Sequence, residues 1–416
     1  MKSTATILGM FAFGYFLAVI FRSVNALIAP NLVSDIGLDA TMLGLLTSAL
    51  LIAHGASQIP IGVALDRYGP RRVQAAMLCC AALGSSLFAV GTDALTLTIA
   101  RALIGAGFAG ALMSGFKAVT MSVPGPRQAL GNAIVMGGGQ IGYIIATWPT
   151  EVMVGMVGWR PIFAGLAVLT LFASALYLLI VPEWPSPGPP QKKRDLLAGL
   201  RNVFADPVVW RIAPLVWVTA GFNIAMLTLW AGPWFRDVAG YDRGAVATGL
   251  LINATAAAGG VFICGWIADR AQRRGIGLLS VMQTLLLVFL VVQIPIILGH
   301  TVLTPVAWFI FAGTGQAGIL SYPWLAAHFG KGTSSRAQTG VNTGIFVLAF
   351  AVQYAAGAVI DLFDPTPGGG YEPVAYQVSF ACVFVLEVAA LVWFMSGRKM
   401  LEARYQKRAG SQTGAG

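Results

Sequence analysis

Residues 276–298 read Ile-Gly-Leu-Leu-Ser-Val-Met-Gln-Thr-Leu-Leu-Leu-Val-Phe-Leu-Val-Val-Gln-Ile-Pro-Ile-Ile-Leu, 23 positions without one Asp, Glu, Lys or Arg. A run of that length crosses the hydrocarbon core of a bilayer as a helix. Because lipid offers the backbone no hydrogen-bond partner, only helices and closed barrels can span it. The pattern recurs along the chain as windows of about 20 apolar residues, not as alternating ten-residue strands, so the spanning element is a helix. Composition agrees: 10% of residues are charged and 57% hydrophobic, where soluble domains carry roughly a quarter charged.

Twelve candidate spans emerge, near residues 5–29, 43–64, 73–92, 96–119, 130–152, 161–181, 209–233, 245–265, 276–298, 302–326, 338–361 and 376–397. The expected fold is an all-α integral membrane protein of twelve transmembrane helices in two pseudo-symmetric six-helix bundles. Its parts are 1–182 (N-terminal bundle), 183–208 (linker rich in Pro and Lys/Arg), 209–397 (C-terminal bundle) and 398–416 (tail). With both termini placed inside, 20 of the 26 Lys and Arg fall on the inner side, the bias that sets membrane orientation. The net charge of +10 therefore reflects topology, and no aromatic-basic pattern accompanies it that would call for nucleic acid. The first apolar run is longer than a signal-peptide core, and its removal would leave an odd span count, so a cleaved leader is not expected.

A charged turn between the second and third spans, Gly62-Val-Ala-Leu-Asp66-Arg67-Tyr-Gly69-Pro-Arg71-Arg72, returns in weakened form as Gly265-Trp-Ile-Ala-Asp269-Arg270-Ala-Gln-Arg273-Arg274. The offset of 203 residues is close to half the chain of 416, which marks an internal repeat. With Arg101-x-x-x-Gly105-x-Gly107 in the fourth span and Gly158-Trp-Arg-Pro-Ile-Phe163 before the sixth, the chain resembles the major facilitator superfamily of transporters. By that resemblance, Gly62, Asp66, Arg67, Gly69 and Arg71, with Asp269 and Arg270 in the weaker copy, form a conformational switch that latches the cytoplasmic side. Independently, Asp66 at a helix end could meet the free N–H groups of a neighbouring helix start.

Function turns on polar groups within the spans, since ionisable groups in a bilayer are costly and usually face a cavity. Arg22 shares a helical stripe with Tyr15 and Asn25. Phe21-Arg22-Ser-Val-Asn25 resembles the Asp-Arg-x-x-Asn element of the anion:cation symporter branch, with Phe21 where that branch has its acid. Arg101 enters at similar depth, and no intramembrane acid neutralises either guanidinium on its own span. Two such forks suit an anion, with Arg101 alternatively serving conformational coupling. Lys117 reads as a snorkelling side chain near the inner surface. His54 is the central titratable candidate for coupling. Gln140, Tyr143, Asn223, Gln316, Tyr322, Asn342 and Gln353 complete the expected polar lining, each also able to bond between helices.

Apparent enzyme motifs dissolve. Gly105-x-Gly107-x-x-Gly110 lies inside a span with no strand before it, and Gly137-Gly138-Gly139 lacks the Lys of a P-loop. Cys79, Cys80, Cys264 and Cys382 have no metal-ligand spacing. The expectation is a secondary transporter and not an enzyme, working without cofactor or metal as a monomer in the inner membrane. It moves a small anionic organic solute by alternating access, coupled to protons or a counter-anion. The alternatives are a drug or metabolite exporter of the same superfamily and a non-transporting sensor or assembly factor.

Overall fold

The computed structural model describes residues 3–124, 128–184, 201–329, 334–367 and 369–404. Helix dominates these, with a single β-bridge, Pro365 to Tyr371, among the described residues. Among the described residues, eleven helices are long and apolar enough to cross a membrane, and a shorter apolar helix, Leu130–Ile145, falls where the fifth span is expected. The basic linker cluster of 192–194 and the end of the tail lie outside the described residues.

The first span is α1 (Thr4–Ser23) and α2 (Asn25–Ile36), divided at Val24. Next come α3 (Ala40–Leu65) and α4 (Arg67–Val90). The first half continues with α5 (Ala94–Phe108), α6 (Ala111–Ser122), α7 (Gln128–Ile145), α8 (Trp148–Val157) and α9 (Trp159–Ile180). The second half comprises α10 (Pro207–Ala225), α11 (Ala231–Asp237), α12 (Arg243–Gln272), α13 (Leu278–Ile297), α14 (Thr304–Thr314), α15 (Ser321–Phe329), α16 (Ser334–Ile360) and α17 (Pro373–Ser396). Short acids set the starts: Asp39 accepts the Met42 N–H at 2.6 Å ahead of α3, and Asp93 accepts the Thr96 N–H at 2.9 Å ahead of α5.

Several spans depart from the smooth helices that hydropathy implies. The charged turn between α3 and α4 is compressed into a break at Gly69, whose φ of 76° is costly for any residue with a Cβ. A π turn, Met226–Trp230, joins α10 to α11, and a 3-10 turn, Gly315–Leu320, joins α14 to α15. Such interruptions inside spans commonly mark functional segments.

Contacts group the chain into two compact units: Met1–Pro190 with Ile224–Thr255 and Phe350–Ser379, and Gln191–Asn223 with Ala256–Ala349 and Phe380–Gly416. In the first unit, glycines let helix backbones touch. A Cβ at Gly138 would lie 2.3 Å from the Ala12 carbonyl oxygen, and one at Gly142 would lie 2.4 Å from that of Phe16. The matched spacing of four on α7 and α1 is a small-residue stripe of the kind membrane helices use. Gly105 likewise meets Leu50 of α3, and Gly107 meets Ala81 of α4. In the second unit Gly260 of α12 and Gly313 of α14 meet in the same way.

Candidate functional site

The α1–α7 contact sets the centre of the first unit. With no Cβ on Gly139, the Tyr15 ring packs over its backbone, and Tyr143, one turn on, comes into electrostatic range of Arg22. The α3–α5 contact supplies the third member. His54 lies one turn beyond Leu50, hydrogen-bonds the Gly105 backbone and senses the Arg22 charge. The structure thus gathers Arg22, His54 and Tyr143 from three helices. Arg22 is half-buried and has no hydrogen-bond or ion-pair partner among the described residues. Tyr15 and Gln140 are half-buried on the same two helices, α1 and α7. Asn25, one turn beyond Arg22, is buried, and its Oδ1 has no partner among the described residues.

Arg101 sits differently. It is wholly buried, and its Nη1 donates to the Phe21 carbonyl at 2.9 Å. Its guanidinium lies 4.4 Å from the Phe88 ring centre and 5.2 Å from that of Phe163, distances at which an aromatic face attracts a cation. The Phe21 ring closes the box against Phe108 and Phe163. Among the described residues, Nε and Nη2 of Arg101 find no partner. Where the resembled branch has an acid, this chain surrounds the cation with rings.

The polar candidates of the second unit pair with one another. Asn223 Oδ1 accepts from Gln316 Nε2 at 3.1 Å, and Gly315 makes room for the Asn223 amide. The Tyr322 hydroxyl donates to Asn342 Oδ1 at 3.1 Å. Glu387 is wholly buried and accepts from Gln293 at 2.7 Å. Gln353, in the first unit, is already engaged: its Nε2 donates to Thr47 at 2.6 Å, its Oε1 accepts from Thr228 at 3.3 Å, and its carbonyl accepts from Trp230 at 3.2 Å.

At the charged turn, the side chain of Asp66 lies outside the described residues. Arg67 stacks on Tyr68, while Arg71 bonds the Leu178 carbonyl and pairs with Glu183, which Arg72 also meets. Gly62 has open space where a Cβ would stand. Lys117 donates to the Leu65 carbonyl at 2.8 Å, capping the C-terminal end of α3. In the second copy, Asp269 pairs with Arg273 one turn along its own helix and Arg270 stacks on Trp266. The two copies are therefore unequal: the first ties α4 to α9 and Glu183, whereas the second bonds within one segment.

Glu183 and Asp361 were not distinguished by sequence as partners. The signal for each was position: an acid directly after a span, beside unpaired basic or N–H groups. The Gly158-Trp-Arg stretch also proves structural, since Trp159 donates to Asp35 at 2.9 Å and Arg160 reaches the same carboxylate.

Against known proteins, residues 11–358 match the Major Facilitator Superfamily. A probable sulfoacetate transporter, SauU, of Cupriavidus necator is 23% identical over 286 residues, 66% of each chain. A probable L-galactonate transporter of Escherichia coli is 24% identical over 63% of this chain and 61% of its own. These alignments span a little under two thirds of either relative. Among solved structures, a bacterial homologue of the human lysosomal transporter Spinster, in an inward-facing and unoccupied conformation, superposes with a TM-score of 0.75 at 17% identity, covering 97% of this chain and 98% of that one.

Proposed function

Since the chain belongs to the Major Facilitator Superfamily, a family of multi-pass membrane transporters and not of enzymes, we propose that it carries a small organic anion by alternating access. The supporting observation is Arg22, a guanidinium inside a membrane span that no described protein group neutralises. Such a group is costly unless a ligand or water completes it, and its planar fork fits a carboxylate or sulfonate through two parallel hydrogen bonds. Tyr143 and His54 flank the fork and fix which way the anion lies. Arg101, enclosed by rings and bonded to the α1 backbone, braces the helix behind the site and does not meet the solute. The names of two relatives, a sulfoacetate and an L-galactonate transporter, fall in the same chemical class. On this reading the protein is a monomer of the inner membrane with both termini cytoplasmic, and coupling runs through protons or a counter-anion, with His54 the titratable group beside the site.

The test is uptake of radiolabelled sulfoacetate, L-galactonate and further organic acids into proteoliposomes carrying the wild type, Arg22→Lys or Arg22→Ala. Both variants should lose at least about tenfold in rate, the cost of one charged hydrogen bond or more, with Lys failing because a point charge does not reproduce the fork. Undiminished uptake by either would refute the assignment.

A further inference from the structure

Two spans of this chain are followed directly by an aspartate: α3 (ending at Leu65) by Asp66 and α16 (ending at Ile360) by Asp361. The repeated turn draws notice to the first. The structure shows what the second does. Asp361 stands at the start of α3, where it accepts from the Thr41 hydroxyl at 2.7 Å and the Tyr371 hydroxyl at 2.6 Å, and meets the Ala40 and Thr41 amides. Tyr371 in turn accepts the Ala40 N–H at 3.3 Å. Asp39 already serves the Met42 N–H, so the two acids between them satisfy donors that a helix start leaves open, and both sit at its positive dipole end.

This contact is one rung of three. A turn back from Asp361, a Cβ on Gly357 would lie 2.4 Å from the Ala40 carbonyl oxygen. A turn further back, Gln353 donates to Thr47, and Gly44 packs against the Gln353 carbonyl. Residues 353, 357 and 361 form one stripe of α16, laid against 40, 41, 44 and 47 of α3. At the same face, Arg243 at the start of α12 bonds Glu151 of α8 and Asn31 of α2. All these contacts lie within the first compact unit, and they join helices from the two halves of the sequence at the end of α3 remote from Asp66.

We propose that Asp361 is a helix-capping latch that holds this face of the transporter shut, the opposite number of the latch assigned to Asp66. Its bonds must break before the face opens, so its charge biases the equilibrium toward the state closed there. A ligand or mutation can shift such an equilibrium only by its differential energy in the two states, and this carboxylate has bonds that exist in one of them.

The proposal rests on alternating access but not on what is carried. The test uses the full chain with Cys79, Cys80, Cys264 and Cys382 replaced by Ala and a reporter Ser48→Cys, one turn beyond Gly44 on the buried stripe. An impermeant maleimide is applied from each side of sealed vesicles. Asp361→Asn should raise labelling from the Ala40 side by about tenfold, the weight of a charged hydrogen bond, and Tyr371→Phe, which keeps the ring and the charge, should raise it less. Asp66→Asn should lower it. Unchanged or reduced labelling in Asp361→Asn, or in Tyr371→Phe should Asp361→Asn not fold, overturns the latch. Labelling needs no substrate, so a failed uptake panel refutes the anion reading and leaves this result standing.

Discussion

Gly137 and Gly138 are neighbours that sequence cannot tell apart, and they predict opposite outcomes for the same substitution. At Gly138 an added methyl would sit 2.3 Å from the Ala12 carbonyl oxygen, with further backbone atoms of Ala12 at 2.8 and 3.0 Å. Ordinary contact begins near 3.4 Å, so the shortfall is about 1 Å, and it falls on backbone that has no rotamer to escape into. The helices α1 and α7 must part by about that distance, at a cost of about 1–3 kcal/mol for overpacking. At Gly137 nothing lies within 4 Å, and replacing a helical glycine with Ala gains about 0.5–1 kcal/mol. The two variants should therefore differ by about 1.5–4 kcal/mol, more than tenfold in the folded ratio. Heating each in detergent and measuring the monodisperse fraction by size-exclusion chromatography would show Gly138→Ala melting below the wild type and Gly137→Ala at or above it. Uptake should fall with Gly138→Ala as well, because the same contact sets Tyr143 beside Arg22. Equal melting of the two variants would refute the reasoning.

Two further outcomes follow from buried charges. Arg101→Met keeps most of the volume between Phe88 and Phe163, so it should melt closer to the wild type than Arg101→Ala, whose cavity costs about 2–5 kcal/mol by analogy with other large-to-Ala changes; equal or reversed melting would refute a packing role for the side chain. In the second unit, Asp206 bonds His328 at 2.9 Å and Arg404 at 3.0 Å. Burial alone would raise the Asp206 titration, but the hydrogen bonds from His328 and the Val208 N–H and the nearby His328 and Arg404 charges outweigh it and hold the carboxyl below its usual range. Its contribution is therefore present at neutral pH and fades only as pH falls below about 4, the ordinary aspartate value, through the depressed one. Thermal stability of Asp206→Asn should show a flatter acid limb than the wild type.

The helical spans, their approximate ends and the family were legible because hydropathy and the repeated charged turn are local signals. Partners across helices were not. Gln353 reads as cavity lining from its depth, yet all its polar groups are committed to Thr47, Thr228 and Trp230. Gly138 and Gly142 carry the small-residue spacing openly, but Gly137 and Gly139 beside them are equally small, so composition does not show which glycine faces α1. The interruptions at Met226–Trp230 and Gly315–Leu320 leave no trace in an apolar run, because tertiary contacts and not composition decide where a helix changes its winding. Asp361 carries no motif of its own, and its role appears only when the start of α3, more than 300 positions earlier, stands beside it.

The aromatic box around Arg101 also has a consequence for the order in which the protein is made. A ribosome releases Arg101 into the membrane 62 residues before Phe163, the ring that completes its enclosure. At translation speeds of about 5–20 residues per second that interval lasts roughly 3–12 seconds, during which the arginine, in the first third of its span, lacks its second ring. The nascent chain therefore carries an unsettled fourth span until the sixth arrives, and the first half of the molecule finishes as a single assembly step.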